Sequence, residues 1–189
     1  MQKRKRGKSR ERKTEIPSPD GGGRRGIYFL PAGVSRRRKL HGRHRFHAPH
    51  GRSDGEWLAI NAQYADPATV PEGKVQSTQF VCERVNDGRI VGMLQVRLAL
   101  NDFLLHYGGH IGYSVRPDER RKGYASWMLA QGLDYCRSMG LRKVLITCLD
   151  TNEASRRTIL HAGGVYESTE HEPNENENLE RYWITLKGE

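Results

Sequence analysis

Val115-Arg116-Pro117-Asp118-Glu119-Arg120-Arg121-Lys122-Gly123-Tyr124-Ala125 joins two segments of different character. Residues 110–116 (HIGYSVR) read as a strand. Residues 123–139 set Ala125, Met128, Leu129, Leu133 and Cys136 at helical spacing, and Gly140 supplies a C-terminal stop. A strand, a short loop with a glycine and then a helix start leave several backbone N–H groups without intrahelical partners, all facing one way. Helix polarity makes that end attractive to anions. Three consecutive cations, Arg120, Arg121 and Lys122, direct the preference toward phosphates, and Gly123 lets the backbone come close. The bland alternative is a basic solvated loop that precedes a helix. The spacing is neither G-x-x-x-x-G-K-[ST] nor G-x-G-x-x-G, so mononucleotide and dinucleotide loops lose support.

Working outward, residues 143–149 (KVLITCL) form a nearly continuous apolar run rich in β-branched side chains, as expected of a strand buried on both faces in a parallel pair. Residues 110–149 then make a βαβ unit with a right-handed crossover. Asp150-Thr151-Asn152 supplies an N-cap for a helix that ends at Gly163-Gly164. Residues 165–172 and 179–186 are two further strands around a polar loop. Upstream, residues 79–85 and 89–99 make a hairpin about Asn86-Asp87-Gly88, and residues 101–109 are a bulky connection ending in two glycines. Residues 56–64 (EWLAINAQY) read as a short helix stopped by Asp66-Pro67. The order of elements predicts a mixed sheet of α/β or α+β class.

Charge divides the chain differently. Residues 1–55 carry seventeen Lys/Arg against four Asp/Glu, a balance of +13, whereas the remaining residues sum to −3. The overall +10 therefore belongs to a tail, and a basic whole-chain nucleic-acid binder is not implied. Residues 1–54 show no helical or strand period, so a disordered basic tail is expected, followed by one folded domain over 55–189. A nucleic-acid arm and a misread start or frame are the alternatives. Arg24-Arg25 followed by Gly26-Ile27-Tyr28-Phe29-Leu30 has the outline of a leader, but Pro31 and Gly33 interrupt it, and it is read as no signal. No apolar run approaches the roughly 20 residues of a membrane helix. Cys82, Cys136 and Cys148 lie inside apolar segments without a C-x-x-C, which fits reduced thiols in a cytoplasmic protein. His41, His44, His47 and His50 have no Cys or carboxylate placed to complete a site, so no metal is expected.

Arg120-Arg121-Lys122-Gly123-Tyr124-Ala125 resembles the R/Q-x-x-G-x-G/A pyrophosphate loop of the GNAT N-acetyltransferase superfamily, placed as in that family after a strand ending Ser114-Val115-Arg116-Pro117. Asn152 and Ser155 look like the N-x-x-[AS] of its following helix. The string from Tyr107 to Pro117 (YGGHIGYSVRP) is similar to an uncharacterised bacterial subgroup of such acetyltransferases. The resemblance covers about residues 55–189. It implies a mostly antiparallel mixed sheet with flanking helices and one splayed parallel strand pair. The first strand and helix of that fold would fall in residues 1–54, so either that stretch is misread or an edge of the fold is missing. An incomplete sheet would expose an edge and favour a homodimer.

What the resemblance implies for chemistry is acetyl transfer from acetyl-CoA to a primary amine, without a covalent enzyme intermediate. Backbone N–H groups of residues 121–125 would hold the coenzyme pyrophosphate, with charge added by Arg120 and Lys122. Val115 N–H would polarise the thioester carbonyl, while Asn152 and Ser155 would meet the pantetheine arm. Many family members carry a tyrosine acid seven positions after the Asn; here Ile159 stands there. For the base, His110 is preferred, with Glu83, Tyr113 and Tyr182 as further candidates, and a structural His110 hydrogen-bonded to the 101–109 loop as the alternative. Six glutamates of the closing hairpin, Glu167, Glu170, Glu172, Glu175, Glu177 and Glu180, suggest a cationic acceptor or merely a solvated edge. Two other functional classes remain open: nucleic-acid binding through the basic arm, and a non-catalytic acyl-CoA sensor.

Overall fold

The computed structural model describes residues 12–17, 24–31 and 53–187. The four spaced histidines and the basic cluster at 36–39 lie outside the described residues. The sheet begins inside the expected tail, where two strands lie. β1 (Arg12–Pro17) and β2 (Arg24–Pro31) form an antiparallel pair, and β2 continues onto β3 (Ser77–Arg84), with Phe29 opposite Cys82 and Pro31 opposite Phe80. The apolar run of residues 26–30, set aside above as an interrupted leader, is thus a strand. Its five residues are too few for a clear period, and the surrounding charges hide them.

β3 turns into β4 (Ile90–Arg97), which pairs with β5 (Ile111–Val115), so five strands follow one another in chain order across one antiparallel sheet. The second sheet has three strands, β6 (Lys143–Leu149), β8 (Glu177–Thr185) and β7 (Val165–Glu172), in that spatial order. β6 was expected in a parallel pair with β5, splayed from it. Its ladder runs instead with β8, antiparallel from Lys143 opposite Thr185 to Leu149 opposite Leu179. Toward β5 it has no ladder beyond a link between Leu145 and His110, which is the splay of the parallel pair.

Among the described residues, three α-helices cover the sheets. α1 (Asp54–Ala65) starts at Ser53, whose side chain accepts from Glu56 N–H while Glu56 reaches back to the Ser53 amide, a reciprocal cap that fixes the start two residues before the expected one. α2 (Tyr124–Ser138) buries Met128, Leu129, Leu133 and Cys136, the stripe expected from spacing, against Val91, Leu94 and Val96 of β4. It can lie close because a Cβ on Gly132 would stand 3.1 Å from Leu94 Cδ1, and one on Gly92 would stand 2.7 Å from both Met128 Cε and Ser114 O. α3 (Glu153–His161) is capped by Asn152 and buries Ile159. All three cysteines are free and buried. Among the described residues, no helix is long and apolar enough to cross a membrane.

Candidate active site

The slot begins where β5 and β6 part. His110 N–H donates to Leu145 O at 2.7 Å, and Leu145 N–H donates to His110 Nδ1 at 2.9 Å. Thr147 Oγ1 donates to Tyr107 O at 2.7 Å on the same side. Gly109, at φ +62°, lets the chain approach this closely, since a Cβ there would sit 2.7 Å from Leu145 O. Beyond these contacts the strands diverge. Ladder bonds of an antiparallel pair alternate. Arg97 N–H donates to His110 O and Arg116 N–H donates to Val91 O, so the amides of Ile111, Tyr113 and Val115 between them turn away from β4 and toward the slot.

With Nδ1 of His110 accepting a hydrogen bond, the proton of the neutral ring sits on Nε2, and no lone pair remains for a base. Burial, helped by the Arg97 guanidinium, lowers its pKa to about 4, so the ring stays neutral at physiological pH. Glu83 is buried near the β3–β4 turn, with β4 between it and β5. Tyr182, on β8, donates its hydroxyl to Glu180 at 2.8 Å. Tyr113 is different: its hydroxyl reaches from β5 to the first turn of α3, 2.9 Å from Ser155 Oγ. Burial raises its pKa, so it keeps its proton. Ile159, in the position where a tyrosine was considered, is wholly buried in the core.

At the far end of β5, a 3-10 turn (Pro117–Glu119) leads to Arg121 at φ +63° and Gly123 at φ +81°. Gly123 precedes α2 with no side-chain cap, no acidic residue in the first turn and nothing within 4 Å of where its Cβ would be. The first N–H groups of α2 are therefore open to a ligand. Arg121 is exposed. Arg120 Nε donates to Val115 O at 3.4 Å, and Lys122 Nζ donates to Glu119 Oε2 at 2.9 Å and to Asp118 O at 3.2 Å. Asn152 Oδ1 accepts from Ser155 N–H, which leaves its side-chain NH₂ available.

Sequence reasoning overlooked Glu119. Only 2% of its side chain is exposed, and it is met by Arg84 Nη1 at 3.1 Å, Arg89 Nη1 at 3.2 Å and Lys122. Burial alone would raise its pKa, but the hydrogen bond from Lys122 and the charges of Arg84 and Arg89 reverse the direction and hold it ionised. Arg89 also pairs with Asp118. The acidic pair Asp118-Glu119 directly before three cations was the signal available.

The Acetyltransferase (GNAT) family model matches residues 45–163. The chain belongs to the GNAT acetyltransferase family. No curated protein matches it in sequence. Among solved structures, Mycobacterium smegmatis RimJ in complex with CoA-disulfide is 21% identical, covers 92% of this chain and 86% of that one, and gives a TM-score of 0.59. The ribosomal-protein-S5-alanine acetyltransferase from Vibrio fischeri is 15% identical over 85% and 92%, with a TM-score of 0.60. Vibrio cholerae spermidine N-acetyltransferase in complex with CoA and spermine is 17% identical over 74% and 79%, with a TM-score of 0.54. These likenesses show the GNAT fold.

GNAT acetyltransferases use acetyl-CoA, and the start of α2 fits it: an acid-free, uncapped helix end with open space at Gly123 suits a pyrophosphate. The hairpin glutamates fit a cationic acceptor less well. Glu167 and Glu170 pair with Arg181, Glu172 accepts from Asn174 and from Glu175 N–H, and Glu180 pairs with Arg156. Three of the six carboxylates face an arginine, two of them sharing Arg181, so part of the expected negative charge is already offset.

Proposed function

We propose that this GNAT domain transfers the acetyl group of acetyl-CoA to a primary amine on a small molecule or peptide end. The observation that carries it is the open, acid-free start of α2 lying directly beyond the unpaired edge of β5. Acetyl-CoA supplies an activated thioester. N–H groups of residues 121–125 hold its pyrophosphate, with Arg121 adding charge, and the Asn152 NH₂ meets the pantetheine arm. Val115 N–H, turned into the slot, holds the charge that builds on the thioester oxygen. Tyr113, protonated and beside Ser155, holds the proton the departing sulfur needs.

His110 is not the base, because Leu145 N–H occupies its acceptor nitrogen. The acceptor ammonium loses its proton to solvent at the mouth of the slot. Accordingly kcat/KM should climb with pH toward the pKa of the amine, and an inflection near 6 to 7 would restore an enzyme base. Spermidine and a peptide with N-terminal alanine, the acceptor chemistries named for the two Vibrio enzymes, are the first to screen.

Thermal melting tests the coenzyme site directly. Acetyl-CoA at a hundredfold excess over Kd adds about 2.7 kcal/mol. At about 2–4 °C per kcal/mol the melting temperature should rise roughly 5–10 °C. Gly123→Glu places bulk and negative charge at the helix start and should abolish the rise. A folded wild type with no rise would refute the coenzyme site.

A further inference from the structure

We propose that His110 is a positioning residue that ends the β5–β6 ladder after one residue and so sets the width of the slot. In a parallel pair, the N–H and C=O of a residue bond to two different residues of the neighbouring strand. Leu145 bonds with both groups to His110 alone, its C=O to the backbone N–H and its N–H to the ring. The carbonyls that would have carried the ladder onward or backward are withdrawn by Arg97 of β4. Its backbone N–H takes His110 O, and its Nη1 takes Gly108 O at 3.0 Å. An imidazole thus occupies the place of a carbonyl, and the next residues of β5 start out one ring apart from β6. The ring is held in that place: His110 is 8% exposed and meets Trp183 of β8 edge-on, centroids 6.3 Å apart.

This inference rests on the slot being the acetyl-CoA site, and its test separates the two. Three variants are compared by circular dichroism, by calorimetric titration with acetyl-CoA and by steady-state kinetics. His110→Asn keeps an acceptor close to the position of Nδ1, whereas His110→Gln moves it outward and His110→Ala removes it. The expected result is that Ala and Gln weaken acetyl-CoA binding at least about tenfold, equivalent to about 1.4 kcal/mol, with KM for acetyl-CoA rising more than kcat falls. Asn should stay close to wild type on both measures. A side chain that only fills space predicts the reverse ranking, with Gln retaining function better than the smaller Asn.

Ala binding as tightly as wild type, or Asn losing as much as Ala, would overturn the proposal. Should Ala fail to fold, the Asn–Gln contrast decides it. A second readout needs no coenzyme. Nitrogen NMR of the wild type should show His110 Nδ1 unprotonated and scalar-coupled to the Leu145 amide across the hydrogen bond; absence of that coupling sinks the clamp. If the coupling is present but wild type binds no acetyl-CoA, the coenzyme site fails, and with it the claim that the clamp sets a coenzyme slot.

Discussion

At the level of single residues, the neutral His110 ring makes folding stability depend on pH. Its folded pKa of about 4 lies below its ordinary 6.5, so between those values the unfolded chain binds more protons. The stabilisation is complete above pH 6.5 and is lost as pH falls toward 4. The groups facing the ring are the Leu145 amide from β6, the indole of Trp183 from β8 and the Arg97 guanidinium from β4, so no carboxylate among the described contacts offsets the loss. Urea melts between pH 7 and 4 should lose about 1–3 kcal/mol more in wild type than in His110→Asn. Equal losses would show that the ring titrates normally. Glu119 makes the complementary case, a buried charge rather than a buried neutral group. Glu119→Gln leaves Arg84, Arg89 and Lys122 around an uncharged amide, and should cost about 3 kcal/mol in denaturant unfolding. A loss below 1 kcal/mol would mean that the cations relax into solvent.

Among the elements, the contact of α2 with β4 ties packing to chemistry. Gly92→Ala would press on Met128, which can yield, and on Ser114 O, which belongs to the β5 backbone one residue before Val115. Overpacking of this kind costs about 1–3 kcal/mol, and the shift should also weaken acetyl-CoA binding. Stability loss with unchanged binding would show that β5 does not move. The elements of this region were legible because their periods are clear: the α2 stripe, the apolar run of β6 and the glycine stops all stand where spacing put them. The open, uncapped start of α2 was legible from its glycine. Three things were not. β1 and β2 are short and sit among charges, so no period announces them. The pairing of β6 with β8 is a long-range choice that a buried apolar run leaves open. The roles of His110, Glu119 and Lys122 depend on partners 3 to 73 positions away, and no local pattern encodes which lone pair is occupied.

Across the whole molecule, β2 covers the edge of β3, a strand with mostly buried residues. Removing residues 1–52 would uncover that edge, and exposed edges with apolar faces associate. The truncated chain should therefore scatter light or elute as a larger species than the full chain, and a truncation of unchanged oligomeric state and stability would show that β1 and β2 are dispensable. The arrangement of the two sheets also bears on the order in which the chain assembles. β3, β4 and β5 are joined by a turn and one short connection, whereas β2 meets β3 across a separation such as Phe29 to Cys82 and β6 must wait for β8, as in Leu149 to Leu179. Distant pairings are the slow ones. The slot lies between β5 of the locally connected β3–β5 meander and β6, which is held in place by β8, so it is completed late: a refolding chain should regain part of its strand signal before it regains any affinity for coenzyme, and a nascent chain released before β8 would carry β5 with β6 unpaired beside it.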